Sequence, residues 1–176
     1  MLLRARRYEN LLRPHLDRLY RLAFRFTGSR ADAEDLVQEL CVRLYPKLPQ
    51  LERLDQPGPW LARALHNLYV DQRRREARSP LEAVEELPET GSGEPGPEQL
   101  AAAAVAAEQI QAALARLPAE QRAVIAWHDI EGYTLDELAE SGNLPLGTLK
   151  SRLHRARAAL RELLMEPFPG PARVRK

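Results

Sequence analysis

The densest set of side chains able to recognise another molecule lies between Ser141 and Arg161, a stretch with five Lys or Arg and no acid. Wound as a helix at about 100° per residue, Leu149, Leu153, Ala156 and Leu160 fall on one side and must face a core. The opposite side then presents Gly147, Ser151, His154, Arg155 and Ala158, with Thr148 in the first turn and Lys150, Arg152, Arg157 and Arg161 on the flanks. A cationic, acid-free helix face is the footprint of a helix lying in a DNA major groove. Small residues on its first turn let the backbone approach closely. Ser151, His154 and Arg155 would read base edges, each good bidentate pair discriminating by ~1–3 kcal/mol, while the flanking cations meet phosphates. The competing reading is a plain solvated amphipathic helix. Ser151 and His154 do not make a nucleophilic pair, because they stand on an open cationic face with no acid to orient the imidazole. No catalysis is expected.

Two further faces carry chemistry. Ala33, Leu36, Val37, Leu40, Cys41 and Leu44 form a core stripe on a helix starting near Asp32. Opposite them lie Asp35, Gln38, Glu39 and Val42, a mixed surface that suits docking to protein, since acids repel phosphate; the alternative is an ordinary wet face. A third helix, from Trp60 to about Glu76, buries Leu61, Ala64, Leu65 and Leu68 and turns Arg63, His66, Asn67, Val70, Arg73 and Arg74 outward. That face is basic and includes an amide able to read a base, although RRR runs are also common as solvated helix ends. The single Cys41 excludes an internal disulfide, and the four scattered His show no zinc spacing, so no cofactor or metal is expected and a reducing cytoplasm is the simplest address. The charged N-terminus is no signal-peptide core, and LAAAAVAA is far short of the ~20 residues of a membrane span.

These faces need scaffolds, and the apolar spacing supplies them as helices throughout, with no alternating β-branched run. The expected fold is all-α in two small helical domains. Residues 79–97 hold the boundary: SPLEAVEELPETGSGEPGPE, spanning 79–98, combines four Pro, three Gly and six Glu and reads as a flexible acidic linker. Charge follows the same division, with a net +6 over residues 1–80 and −7 over 81–115. The first domain, residues 1–78, has helical pattern from Glu9 to Phe26 with a break at Pro14, then the two helices above, the latter preceded by a loop holding Pro57-Gly58-Pro59. The second, 98–165, has an Ala-rich helix, a helix after Pro118 that closes near Gly132, and a short helix announced by the capping box Thr134-Leu135-Asp136-Glu137. A turn at Ser141-Gly142-Asn143 and Pro145 at a helix start complete a helix-turn-helix. Residues 166–176 form a basic tail.

DAEDLVQELCVRLYPKL followed by PWLARALHNLYVDQRRRE resembles the second conserved region of bacterial sigma factors. LPAEQRAVIAWHDIEGYTLDELAESGNLPLGTLKSRLHRARAALREL is similar to their fourth. Nothing between resembles the extra domains of larger sigma factors, which marks the extracytoplasmic-function (ECF) group of the sigma-70 family. The resemblance implies a transcription-initiation subunit that directs core RNA polymerase to a subset of promoters. It implies that Asp35, Gln38, Glu39 and Val42 meet the clamp of the largest polymerase subunits. It assigns the duplex of the −35 element to Gly147, Thr148, Lys150, Ser151, Arg152, His154, Arg155 and Arg157. The −10 element falls to Asp55, Gln56, Arg63, His66, Asn67, Arg73 and Arg74. Trp60 matches a Trp of the family, for which core packing is favoured over base stacking. An anti-sigma factor is an implied partner; a small-molecule substrate and membrane insertion are not. Pro57-Gly58-Pro59 and Ser141-Gly142-Asn143 depart from the family pattern. The alternatives are a free-standing helix-turn-helix regulator, which would bind duplex without polymerase, and a sigma-mimic adaptor, which would bind only protein.

Overall fold

The computed structural model describes residues 2–78, 97–142 and 144–165. Among these residues the regular elements are all helical. Helices α1 (Leu2–Leu12) and α2 (Leu16–Thr27) are joined by a 3-10 turn, Arg13–His15, at the break expected from Pro14, whose missing N–H interrupts the ladder. Gly28 ends α2 at φ +77°, its N–H bonded to Phe24 O at 2.8 Å, a left-handed cap that favours glycine. Ser29 then caps α3 (Arg30–Leu44) by accepting from the Asp32 amide. A 3-10 turn at Tyr45–Lys47, the short α4 (Leu48–Leu51) and α5 (Pro57–Glu76) complete the first lobe.

Pro57-Gly58-Pro59 is not a loop. It forms the first turn of α5, where amides have no intrahelical acceptor and proline loses nothing. Gly58 is buried, and a Cβ there would lie 3.3 Å from Tyr133 Oη of the second lobe.

The second lobe contains α6 (Pro97–Arg116), α7 (Ala119–Ile125), one π-helical turn (Ala126–Ile130), α8 (Leu135–Glu140) and α9 (Leu146–Met165). Gly132, at φ +74°, turns the chain so that the Tyr133 amide reaches Trp127 O at 3.0 Å. The capping box forms as expected: Thr134 Oγ1 accepts from the Glu137 amide at 3.1 Å, and Glu137 Oε2 accepts from the Thr134 amide at 2.7 Å. Asn143, in the turn that follows, lies outside the described residues, as do the proposed linker up to residue 96 and the tail from 166.

The two lobes do not stand apart. Leu19, Leu22, Phe26, Leu36 and Leu65 of the first and Leu114, Val124, Trp127, Leu138 and Leu149 of the second belong to one continuous core. α2 packs on α6 and α7, and α5 packs on α8. The physical reason is clearest on α5, which buries two adjoining stripes, Leu61, Leu65 and Leu68 beside Ala62, His66 and Tyr69, so a second surface must cover it.

Candidate nucleic-acid and polymerase interfaces

On α9, Leu149, Leu153 and Ala156 are buried and Leu160 partly so, as the spacing requires. Gly147, Lys150, Ser151, His154 and Arg155 are exposed, and nothing lies within 4 Å of a Cβ built on Gly147, so this turn is open to close approach. Thr148 is partly buried and accepts from Ser151 Oγ at 3.0 Å through its carbonyl. Two of the flanking cations are engaged within the lobe. Arg152 Nη1 donates to Glu120 at 2.6 Å, and Arg157 makes a two-point contact with Asp129 at 2.9 and 2.5 Å. The hydrogen bond to Asp129 raises the Arg157 pKa further. These contacts orient the two guanidinium groups beside the reading face.

On α3, Asp35, Gln38 and Val42 are exposed, Val42 to 73%. Glu39 is half-buried, held by Arg43 and by Gln72 of α5. α1 braces the far end of this helix: Tyr8 donates to Cys41 O at 2.5 Å, and Arg4 donates to Tyr45 O and Pro46 O at 3.4 and 3.2 Å. Burial, then the neighbouring Cys41, pushes the Tyr8 pKa upward, keeping it a donor.

On α5 the outward set is split. Asn67, Arg73 and Arg74 are exposed, and Asp55 and Gln56 stand exposed just before the helix. Arg63, His66 and Val70 do not point freely outward: lobe two covers the first two, and Val70 turns towards the core. Arg63 Nη1 donates to Leu138 O at 2.9 Å and Gly142 O at 2.7 Å in the helix-turn-helix, and burial, with Arg152 nearby, lowers its pKa. His66 is 3% exposed, edge-on to Trp127 at 5.2 Å and to Phe26 at 5.5 Å. Val70 is partly buried against the core. Trp60 likewise packs on the core while lining a cleft of about 440 Å³ with Lys47, Arg63, Asn67, Asp71 and Gly142.

Residue spacing missed the groups that join the lobes. Glu131, with a side chain 3% exposed, takes Arg21 Nε and Nη2 at 3.0 and 2.8 Å and Arg18 at 3.3 Å. Arg122 donates to Phe26 O at 2.7 Å and Tyr69 Oη at 3.2 Å across the junction. The R-x-x-R spacing of Arg18 and Arg21 places both on one helix face, but nothing local names the distant acid they meet.

Both lobes are similar to known proteins. Residues 11–79 match the family Sigma-70 region 2, and residues 107–160 match Sigma-70, region 4. The ECF RNA polymerase sigma factor SigL of Mycobacterium tuberculosis is 36% identical over 153 residues, covering 86% of this chain and 85% of SigL. The chain belongs to the ECF sigma factors. SigE of Mycolicibacterium smegmatis is 39% identical over 161 residues, covering 89% of this chain, which spans only 61% of the length of SigE. The sigma factor RpoE of Bartonella quintana, crystallised with the anti-sigma factor NepR, superposes with a TM-score of 0.72 at 26% identity, covering 89% of this chain and 96% of RpoE. This sigma factor therefore carries α3 and α5 in its region 2 match and the helix-turn-helix in its region 4 match. Its family is one of transcription initiation factors, not of enzymes. No described helix is long and apolar enough to cross a membrane.

Proposed function

We propose that this sigma factor docks on core RNA polymerase through Asp35, Gln38, Glu39 and Val42 and directs it to promoters bearing two separate elements. α9 reads the upstream −35 element as duplex with Gly147, Thr148, Ser151, His154 and Arg155, while Lys150, Arg152 and Arg157 meet phosphates. The downstream −10 element is met as an opened strand by Asn67, Arg73 and Arg74, with Asp55 and Gln56 at the approach. Capturing an unstacked base costs a few kcal/mol, which contacts to the single strand must offset. The carrying observation is the division of labour on one chain: an acidic, Val-bearing face on α3 and an open cationic face on α9. Such a factor works in the cytoplasm. An anti-sigma protein is the natural regulator, a reading supported by the structural likeness to an RpoE captured with NepR.

The test is in vitro transcription with purified core polymerase, with and without the protein, across a genomic promoter library read by sequencing. Transcripts sharing two upstream elements and lost in Asp35→Lys/Glu39→Lys are expected. An absence of transcripts together with tight, salt-dependent duplex binding by the protein alone overturns the reading in favour of a free-standing regulator.

A further inference from the structure

Lys150, Arg157 and Arg161 lie at positions i, i+7 and i+11 of α9, so helical winding stacks them in one row along a flank of the reading face. All three are exposed, and among the described residues Arg157 alone of them is paired with an acid. Asp129 accepts from Arg157 Nε at 2.9 Å and from Nη2 at 2.5 Å. A guanidinium has five N–H donors in a rigid plane, and this side-on grip takes two of them. Both hydrogens of Nη1 and the second of Nη2 are left over, and they make the end-on edge that fits two oxygens of one phosphate. The Arg157 side chain is 51% exposed and that of Asp129 28%, so the cation is the outer partner. The Arg152 pair is built differently: one nitrogen meets Glu120, and the acid is the more exposed of the two.

Asp129 owes its position to the π-helical turn. Continued as an α-helix, α7 would carry Asp129 four residues after Ile125 and three after Ala126, on the face those residues bury. The Glu131 amide instead reaches back five residues to Ala126 O at 3.0 Å, which widens the turn and moves Asp129 off that face. Buried Ala126 and Trp127 on one side, and the 2.7 Å contact of His128 Nδ1 with Tyr133 O on the other, fix the turn in place. An acid beside the reading face weakens the general attraction for phosphate, so what it can add to recognition is geometry.

We propose that Asp129 is a positioning residue for −35 recognition: it presents the free edge of Arg157 to one backbone phosphate and thereby fixes the register in which Ser151, His154 and Arg155 meet the bases. The inference deepens the reading of α9 proposed above and rests on it. A phosphate contact carries no sequence information itself, but one held in place sets where the base-reading side chains fall. Lys150 and Arg161, with no acid to hold them, add affinity without register.

The test uses holoenzyme assembled from core polymerase and the full chain, on a promoter found by transcription with the wild type. Each holoenzyme is titrated at fixed ionic strength on that promoter duplex and on a duplex differing only in a scrambled upstream element. Asp129→Asn keeps the shape and removes the charge. It should bind the scrambled duplex at least as tightly as wild type does, while the preference for the intact element falls by about fivefold or more. Arg157→Lys keeps the charge and loses the fork, so it should lower the preference to a similar extent, and the double variant no further. Arg161→Ala should weaken both duplexes alike and spare the preference. A preference unchanged in Asp129→Asn overturns the inference: tighter binding to both duplexes reduces Asp129 to a repelling charge, and weaker binding to both reduces it to a structural residue. An equal loss of preference in Arg161→Ala, or losses that add in the double variant, overturn it too, because Asp129 and Arg157 then do not act as a unit. Wild-type holoenzyme indifferent to the scrambling overturns the reading of α9 itself, and the inference falls with it.

Discussion

His66 is held between Phe26 and Trp127 with no hydrogen-bond partner on Nε2. Burial lowers its pKa to about 4 from 6.5, although Glu120 and a backbone bond with Ala119 pull the other way. The native state therefore keeps the ring neutral where an unfolded chain would protonate it. Its contribution is fully present above pH 6.5 and is lost as pH falls towards 4, at a limiting slope of about 1.4 kcal/mol per pH unit. His66→Phe keeps an aromatic body without a titrating group, so urea midpoints measured from pH 7 to pH 4.5 should fall less steeply than in wild type. An unchanged slope would assign the acid sensitivity to other groups. On α9 two exposed residues separate reading from grip. Arg155→Ala should cost ~1–3 kcal/mol at one base position of the upstream element and relax its specificity, whereas Lys150→Ala should weaken all sequences alike and lower the salt slope by about 1. Titrations on promoter duplexes at several salt concentrations distinguish the two.

At the scale of elements, the helix-turn-helix depends on short segments that cannot stand alone. α8 has six residues, well under the length at which a helix persists in water, so its start must be secured by its cap and its packing. The backbone amide and then the hydroxyl of Thr134 hydrogen-bond to Glu137 and lower its pKa, a sign that the cap is satisfied in the ionised form. Thr134→Ala should cost about 1 kcal/mol in urea unfolding, and Thr134→Ser should recover most of it. α5 shows the reciprocal economy at its start. Two prolines fill positions whose amides have no partner, and the glycine between them admits Tyr133, so the departure from the family pattern serves lobe packing.

At the scale of the molecule, Arg122 is the joint. Its guanidinium donates to Leu114 O, Ala115 O and Leu117 O in its own lobe and to Phe26 O and Tyr69 Oη in the other. A planar five-donor fork reaches all of them, which a lysine cannot do. The shared core predicts a single cooperative transition on unfolding, followed equally by Trp60 in the first lobe and Trp127 in the second. Arg122→Met should lower stability by about 1.5–3 kcal/mol and separate the two probes, because it leaves carbonyls of both lobes without a donor. Coincident fluorescence and circular-dichroism transitions in that variant would show that apolar packing alone couples the lobes.

Periodicity and capping made much of this protein readable in one dimension. The stripes of α3 and α9, the break at Pro14, the capping box at Thr134 and the open cationic turn at Gly147 all follow from local spacing and backbone chemistry, because each depends on residues within a few positions of one another. The motifs resembling two sigma regions likewise lie in contiguous segments. Only the tertiary structure decided the fate of Arg63 and His66. A helical wheel divides a helix into a buried side and a wet one, and α5 has a third side, facing a second lobe whose contacting residues lie 50–80 positions away in the chain. Glu131 and Arg18 are separated by more than a hundred residues, and no local pattern pairs them. Sequence determined which faces this sigma factor possesses; the packing of one lobe on the other determined which of them are exposed, because burial is a property of whatever the fold brings alongside.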